Sequence, residues 1–118
     1  MRLSMLEAHF VKLTIGPPEE HWPQGRPSHQ HCEMSEADGV FFLCPRCFTA
    51  NHGAVGTHQV GCWFRSKVPD WIEPSPGRWN PSGHSIEDLT FVGPGAVSVW
   101  VKGDGCGWHG HVRNGDAT

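Results

Sequence analysis

The chain has 118 residues, 37% hydrophobic and 18% charged, with a formal net charge of −3. That length holds one domain and no second independent core. The acidic balance and the lack of adjacent Lys or Arg residues exclude an electrostatic footprint for nucleic acid. The longest apolar run, Val40-Phe41-Phe42-Leu43-Cys44, falls far short of the roughly 20 residues that cross a bilayer.

The 15 Gly and 10 Pro point to many turns, short strands and a thin core. Tyr is absent, so the six Trp and six Phe must supply much of the buried area. A core this thin calls for a staple, either metal or disulfide. The N-terminus meets Glu7 before any apolar run forms, so no signal peptide is expected and the protein reads as soluble and intracellular. In a reducing compartment an odd set of five Cys, several beside His, reads as metal binding. Nine His make the net charge rise towards or above zero by about pH 5–6.

In chain order, residues 5–15 alternate loosely and predict a strand, closed by Gly16-Pro17-Pro18. Residues 16–30 are rich in Pro and read as a long loop carrying His21 and His29. The plain reading of His21, His29 and His31 is solvated loop histidines. A sharper one joins His29, His31 and Cys32 in a weak second metal site. Residues 33–38 predict a helix of one or two turns, stopped by Gly39. Val40–Leu43 reads as a buried strand ending at Cys44, and 49–57 as a flexible loop. Thr57–Phe64 alternates His58, Val60 and Cys62 against Gln59, Gly61 and Trp63, a strand. Residues 65–87 form a long irregular stretch anchored by Trp71 and Trp79. Leu89–Val92, Ala96–Lys102 and Trp108–Arg113 are short strands, separated by turns at Gly93-Pro94-Gly95 and Gly103-Asp104-Gly105. Asn114-Gly115 is a tight-turn signal with three residues beyond it.

Two motifs carry the chemistry: Cys44-Pro45-Arg46-Cys47 and Cys106-Gly107-Trp108-His109. Thiolate and imidazole are the ligands of a closed structural Zn²⁺ site, and two intervening residues let a tight turn present both donors on one edge of a tetrahedron. The expected site is one structural zinc held by Cys44, Cys47, Cys106 and His109. The 58 residues between Cys47 and Cys106 exceed the about 15–20 of ordinary ribbons, so the two knuckles would pin together distant parts of one domain. His58 and Cys62 fall on one face of the preceding strand. They read as packing and supporting residues near the knuckles, with the alternative that one replaces His109 as a ligand. A catalytic Cys62–His58 pair lacks any local signature. Catalytic zinc needs an open position and a general base. No metalloprotease or deaminase motif occurs, which leaves His58 or His84 beside Glu87 and Asp88 as the candidates for a zinc hydrolase. The tryptophans read mainly as core and loop anchors, with Trp71, Trp79 and His84 as the alternative of a binding surface.

Five motifs occur in an order that resembles a known family: Phe42-Leu43-Cys44-Pro45-x-Cys47-Phe48, Gly56-Thr57-His58-x-Val60-x-Cys62-Trp63, Pro76-Gly77-Arg78-Trp79, Asp88-Leu89-Thr90-Phe91 and Gly105-Cys106-Gly107-Trp108-His109-Gly110. The chain is similar along its length to small bacteriophage and prophage proteins of unknown function, often labelled "ammonia monooxygenase". The resemblance implies phage or prophage origin and a metal site at Cys44, Cys47, Cys106 and His109; with no signal peptide or membrane span expected, the expected location is the cytoplasm of the bacterial host, with the virion as the alternative. The enzyme label does not suit the chain. Ammonia monooxygenase is a membrane-embedded copper enzyme, whereas paired thiolates favour Zn²⁺ or Cu(I).

The expectation is therefore a mainly β (β-rich α+β) single domain over 1–118, with 16–30 and 65–87 as long loops and at most two short helices. Two ribbon-like zinc knuckles would pin its antiparallel sheet. The expected function is a non-enzymatic interaction module acting on a host protein or defence pathway. The rivals are a zinc hydrolase and a virion component.

Overall fold

A computed structural model describes residues 1–95, 97–101 and 106–118. The chain is mainly β. Its strands are β1 (His9–Ile15), β2 (Pro27–His31), β3 (Gly39–Leu43), β4 (Gln59–Trp63), β5 (Asn80–Ser82), β6 (Thr90–Val92), β7 (Ser98–Trp100), β8 (His109–Arg113) and β9 (Asp116–Ala117), with one α-helix, α1 (Pro45–Asn51), between β3 and β4. They form a four-stranded antiparallel sheet in the order β2-β1-β3-β4, a β5-β6 ribbon and a three-stranded sheet β7-β8-β9. Among the described residues no helix is long and apolar enough to cross a membrane.

The strands at 5–15, 57–64, 89–92 and 108–113 appear with shortened ends, and the one at 40–43 begins one residue earlier, at Gly39. The 96–102 strand is observed as Ser98–Trp100, while Ala96, Lys102 and the Gly103-Asp104-Gly105 turn lie outside the described residues. A one-turn 3-10 helix at Met34–Glu36 stands where a short helix was expected.

Three expectations need correction. Residues 27–31 are not loop but β2, paired to β1 from Val11↔His31 to Ile15↔Pro27. Their composition is poor for a strand, but the open edge of β1 offers a ladder of backbone partners, and tertiary pairing overrides propensity. Pro27 sits at the strand's first position, where its missing N–H costs little. Residues 80–82, within the expected 65–87 loop, form β5. Third, the first Cys pair does not lie in a β-knuckle. It opens α1, which extends through Asn51 into the segment expected to be loop. Pro45 is the cause: at the first helical position its locked φ is already helical and its absent N–H has no intrahelical partner to lose.

The pleat of the four-stranded sheet sorts its side chains into two cores. Phe10, Val40, Phe42, Cys62 and Phe64 face a main core completed by Leu3, Leu6, Leu89, Trp108 and Val112. Their neighbours Val11 and Trp63 face the other side, against Val68 and Ile72, with Leu13, Phe41 and Trp71 packed around them. This smaller core exists because the stretch after β4 folds back across the sheet. The Trp63 indole N–H ties it to the sheet through the Glu73 carbonyl at 2.8 Å, and its shape is fixed by Arg78. Its Nη1 donates to the carbonyl oxygens of Pro74 (3.0 Å) and Gly77 (2.8 Å), its Nη2 to those of Pro69 (2.6 Å) and Ile72 (3.1 Å), and its Nε to that of Val68 (3.4 Å). A guanidinium has five N–H donors in a rigid fork, so one side chain can satisfy the carbonyls of a strandless loop.

The chain ends meet. Leu3 N–H donates to the Gly115 carbonyl at 2.8 Å and Ala117 N–H to the Met1 carbonyl at 2.9 Å. The Asn114-Gly115 turn closes the β8–β9 hairpin with φ of 49° and 76°, the pair of positive values that a two-residue hairpin loop requires.

Phe42 is fully buried and meets the Trp108 ring edge to face, with centroids 6.1 Å apart at 89°. Phe42→Ala is expected to cost about 3–5 kcal/mol, from lost burial plus the cavity left behind. A urea or guanidinium unfolding curve measures it as a lowered midpoint at unchanged slope.

Candidate metal centre

Cys44 follows the last residue of β3 and is the N-cap of α1, with extended φ/ψ of −62° and 123°. Its side chain is fully buried. The helical turn that follows brings Cys47 back to the same side. Burial pushes the Cys44 thiol up to about 12, against the opposing pull of the Cys47 and Arg46 backbone N–H groups at the helix start. The Cys47 thiol is also raised, by burial first and then by Cys106.

The β3–β4 pairing supplies the third donor. Its register runs to Leu43↔Gln59, and one step further the Cys44 N–H donates to the His58 carbonyl at 3.0 Å. His58 therefore stands beside Cys44 by construction of the ladder. Its Nδ1 lies 3.3 Å from the Gln59 carbonyl oxygen. A carbonyl only accepts, so Nδ1 carries the hydrogen and Nε2 keeps a free lone pair. Nε2 is buried with no hydrogen-bond partner, and it is the one such side-chain atom among the described residues. A buried unpaired nitrogen costs about 1–3 kcal/mol, and a metal ion would remove that cost. The carbonyl behind Nδ1 is also the arrangement that orients ligating imidazoles.

Cys106 closes the set from the far side of the chain. Gly107, at φ 79°, turns the backbone, and Trp108 then enters the main core and accepts a hydrogen bond at its carbonyl from Val101 N–H at 2.8 Å. The Cys106 and Cys44 sulfurs are 3.3 Å apart, at hydrogen-bond distance and with no disulfide between them. Burial alone would raise the Cys106 thiol. A proton on His58 Nε2, which a metal ion would replace, together with the Trp108 backbone N–H and the other two thiols outweighs it and brings Cys106 down to about 6. One donor atom from each of Cys44, Cys47, His58 and Cys106 lies within 4.8 Å of the other three.

Three of the four residues expected from the paired motifs are thus gathered, and the fourth position is taken by His58. His109 lies elsewhere. It is exposed on β8 and stacks on Trp100 of β7, with centroids 5.5 Å apart and planes 23° apart. The reason is strand alternation: Trp108 faces the core, so the next residue must face away. Cys62 is fully buried opposite Val40, its thiol raised by burial, and does not join the cluster.

The proposed surface residues do not converge. Trp79 is half-buried, donates its indole N–H to the Ser98 carbonyl at 2.9 Å and stacks on Phe91 at 5.7 Å. Trp71 lines a different cavity from Trp79, and His84 lines neither. The His84 side chain is 95% exposed, with Nδ1 3.1 Å from the Asp88 carboxylate. That carboxylate also accepts the backbone N–H groups of His84 (2.8 Å) and Ser85 (2.9 Å), so it caps a turn. His29, His31 and Cys32 form no metal-ligand cluster: His31 stacks on His9 at 3.9 Å, and His29 packs on Phe41 at 4.9 Å.

Three thiols and one imidazole with a free lone pair form a donor set suited to a tetrahedral metal ion. Comparisons with protein-family models, curated proteins and solved structures found no match to this chain.

Two outcomes follow from this geometry. His58→Ala should reduce metal affinity at least about tenfold, whereas His109→Ala should leave it within about twofold, as read by competition with a chromogenic chelator. The Asp88 carboxyl is held down to about 2 from 3.8 by the His84 and Ser85 N–H groups and the His84 ring. Its folded-state value is depressed, so the stability it adds is complete above 3.8 and disappears as pH falls through about 2. A carboxyl-detected NMR titration should place its midpoint there.

Proposed function

We propose that this protein is a zinc-stabilised, non-enzymatic binding module in which Cys44, Cys47, His58 and Cys106 hold one structural Zn²⁺. The observation that carries this reading is the buried, unpaired Nε2 of His58 beside three sulfurs. Zinc is favoured because a Cys₃His tetrahedron is among its standard structural sets, and soft thiolates discriminate against Mg²⁺ and Ca²⁺.

A structural role is favoured because four protein donors complete a tetrahedron, whereas a catalytic zinc keeps a position for water. The hydrolase alternative loses its two bases: His58 is itself a donor, and the His84–Asp88 pair is an exposed turn cap. A host protein as partner rests on the sequence resemblance to phage proteins alone.

Structural zinc contributes about 10–16 kcal/mol of apparent binding energy in small peptides, against net domain stabilities of about 5–15 kcal/mol. Elemental analysis of purified protein should find about one zinc per chain. Stripping it with a strong chelator should lower Tm by more than about 10 °C, and zinc should restore it. Zinc displaces thiol protons, so retention should weaken as pH falls. A metal-free protein with undiminished stability and reactive thiols would sink the proposal.

A further inference from the structure

The face of the four-stranded sheet that carries the smaller core also carries a cavity of about 290 Å³, lined by Trp22, His29, Phe41, Trp63, Trp71 and Glu73 among others. We infer that this cavity is a binding site for the quaternary ammonium group of a choline-like small molecule.

The first argument is ring geometry. Phe41 and Trp63 meet at 69° with centroids 5.2 Å apart, and His29 is tilted by 44° to Phe41 and 76° to Trp63. Phe41 and Trp63 pack edge to face, and with Trp22 and Trp71 they make the lining largely aromatic. An aromatic face is the negative end of a quadrupole, so a ring whose face is open to the cavity attracts a cation. Trp22 already receives one: the Arg26 guanidinium carbon stands 5.7 Å from its ring centroid.

Charge is the second argument. Glu73 is the one acidic residue in the lining, and no Lys or Arg lines the cavity. Glu73 is exposed at the edge of the cavity, and an acidic residue there complements a positive ligand and repels an anionic one. A primary ammonium is compact and strongly hydrated, so entering such a cavity would cost much of its water. Methyl groups lower that cost and fill the space between rings, which selects the methylated form.

Pre-organisation is the third. The wall from Trp71 to Pro74 is fixed by the Arg78 fork to the Ile72 and Pro74 carbonyls. The floor and wall are joined by the Trp63 indole N–H, which donates to the Glu73 carbonyl at 2.8 Å. A site already held in place spends little of its binding energy on ordering.

The test uses the full chain near pH 8. Choline and its neutral isostere 3,3-dimethylbutan-1-ol are titrated while the indole N–H signals are followed by NMR. Choline should shift the signals of Trp22, Trp63 and Trp71, and the alcohol should bind about tenfold more weakly, the margin a desolvated cation–π contact supplies. Glu73→Gln changes an exposed side chain and should weaken choline at least about threefold while leaving the alcohol unchanged. Trp71→Leu should weaken both probes. Equal binding of the two probes, shifts confined to Trp79 and Trp100, or no binding would each overturn the inference. Zinc content of the same sample is measured separately, so failure here is distinct from failure of the zinc reading.

Discussion

The two-residue alternation of β3 is the constraint on which the rest of the molecule depends. Val40 and Phe42 face the main core, Phe41 faces the other side, and Cys44 follows the strand with its side chain buried in the main core. A shift of register by one residue would exchange every one of these assignments. The main core would lose its largest fully buried side chain, the aromatic cavity would lose Phe41, and Cys44 would no longer stand opposite His58. The β3–β4 ladder therefore does more than join two strands: it places two candidate metal ligands side by side.

The candidate metal centre joins four kinds of local structure: the end of a strand, the first turn of a helix, the start of the next strand and a turn far along the chain. Cys106 reaches the set because Trp108, two residues on, is anchored in the main core against Phe42. Closing a long loop costs only slightly more than closing a short one, since the entropy grows with the logarithm of length. A gap of 58 residues between Cys47 and Cys106 is therefore affordable for a single metal ion. An ion there would act as a long-range cross-link in a domain whose hydrophobic clusters are small.

The opposite face solves a different problem. A sheet with one face on the core needs cover or polar residues on the other. Here cover comes from an irregular stretch rich in Pro, which cannot supply its own hydrogen-bonded ladder. Arg78 substitutes for that ladder by donating to five carbonyls. The result is a fixed loop with a cavity between it and the sheet, separate from the four-donor cluster.

Much of this was legible in the residues themselves. Alternation located most strands, Asn114-Gly115 announced the last hairpin, and the spacing of Cys44, Cys47 and Cys106 marked three of the four clustered donors, because those signals depend only on neighbours in the chain. Pro45 also carried a helix-start signal, although the Cys-x2-Cys spacing suggested a knuckle instead. What neighbours could not decide was the fourth donor. His58 and His109 are equally plausible as residue types, and the Cys-x2-His spacing favoured the latter. Only the cross-strand register, which sets His58 beside Cys44, and the burial of Trp108, which turns His109 outward, separate them. The pairing of 27–31 onto β1 and the Arg78 fork likewise join positions whose partners no local pattern names. Local chemistry determined which residues were able to act, and the register of the sheet decided which of them meet.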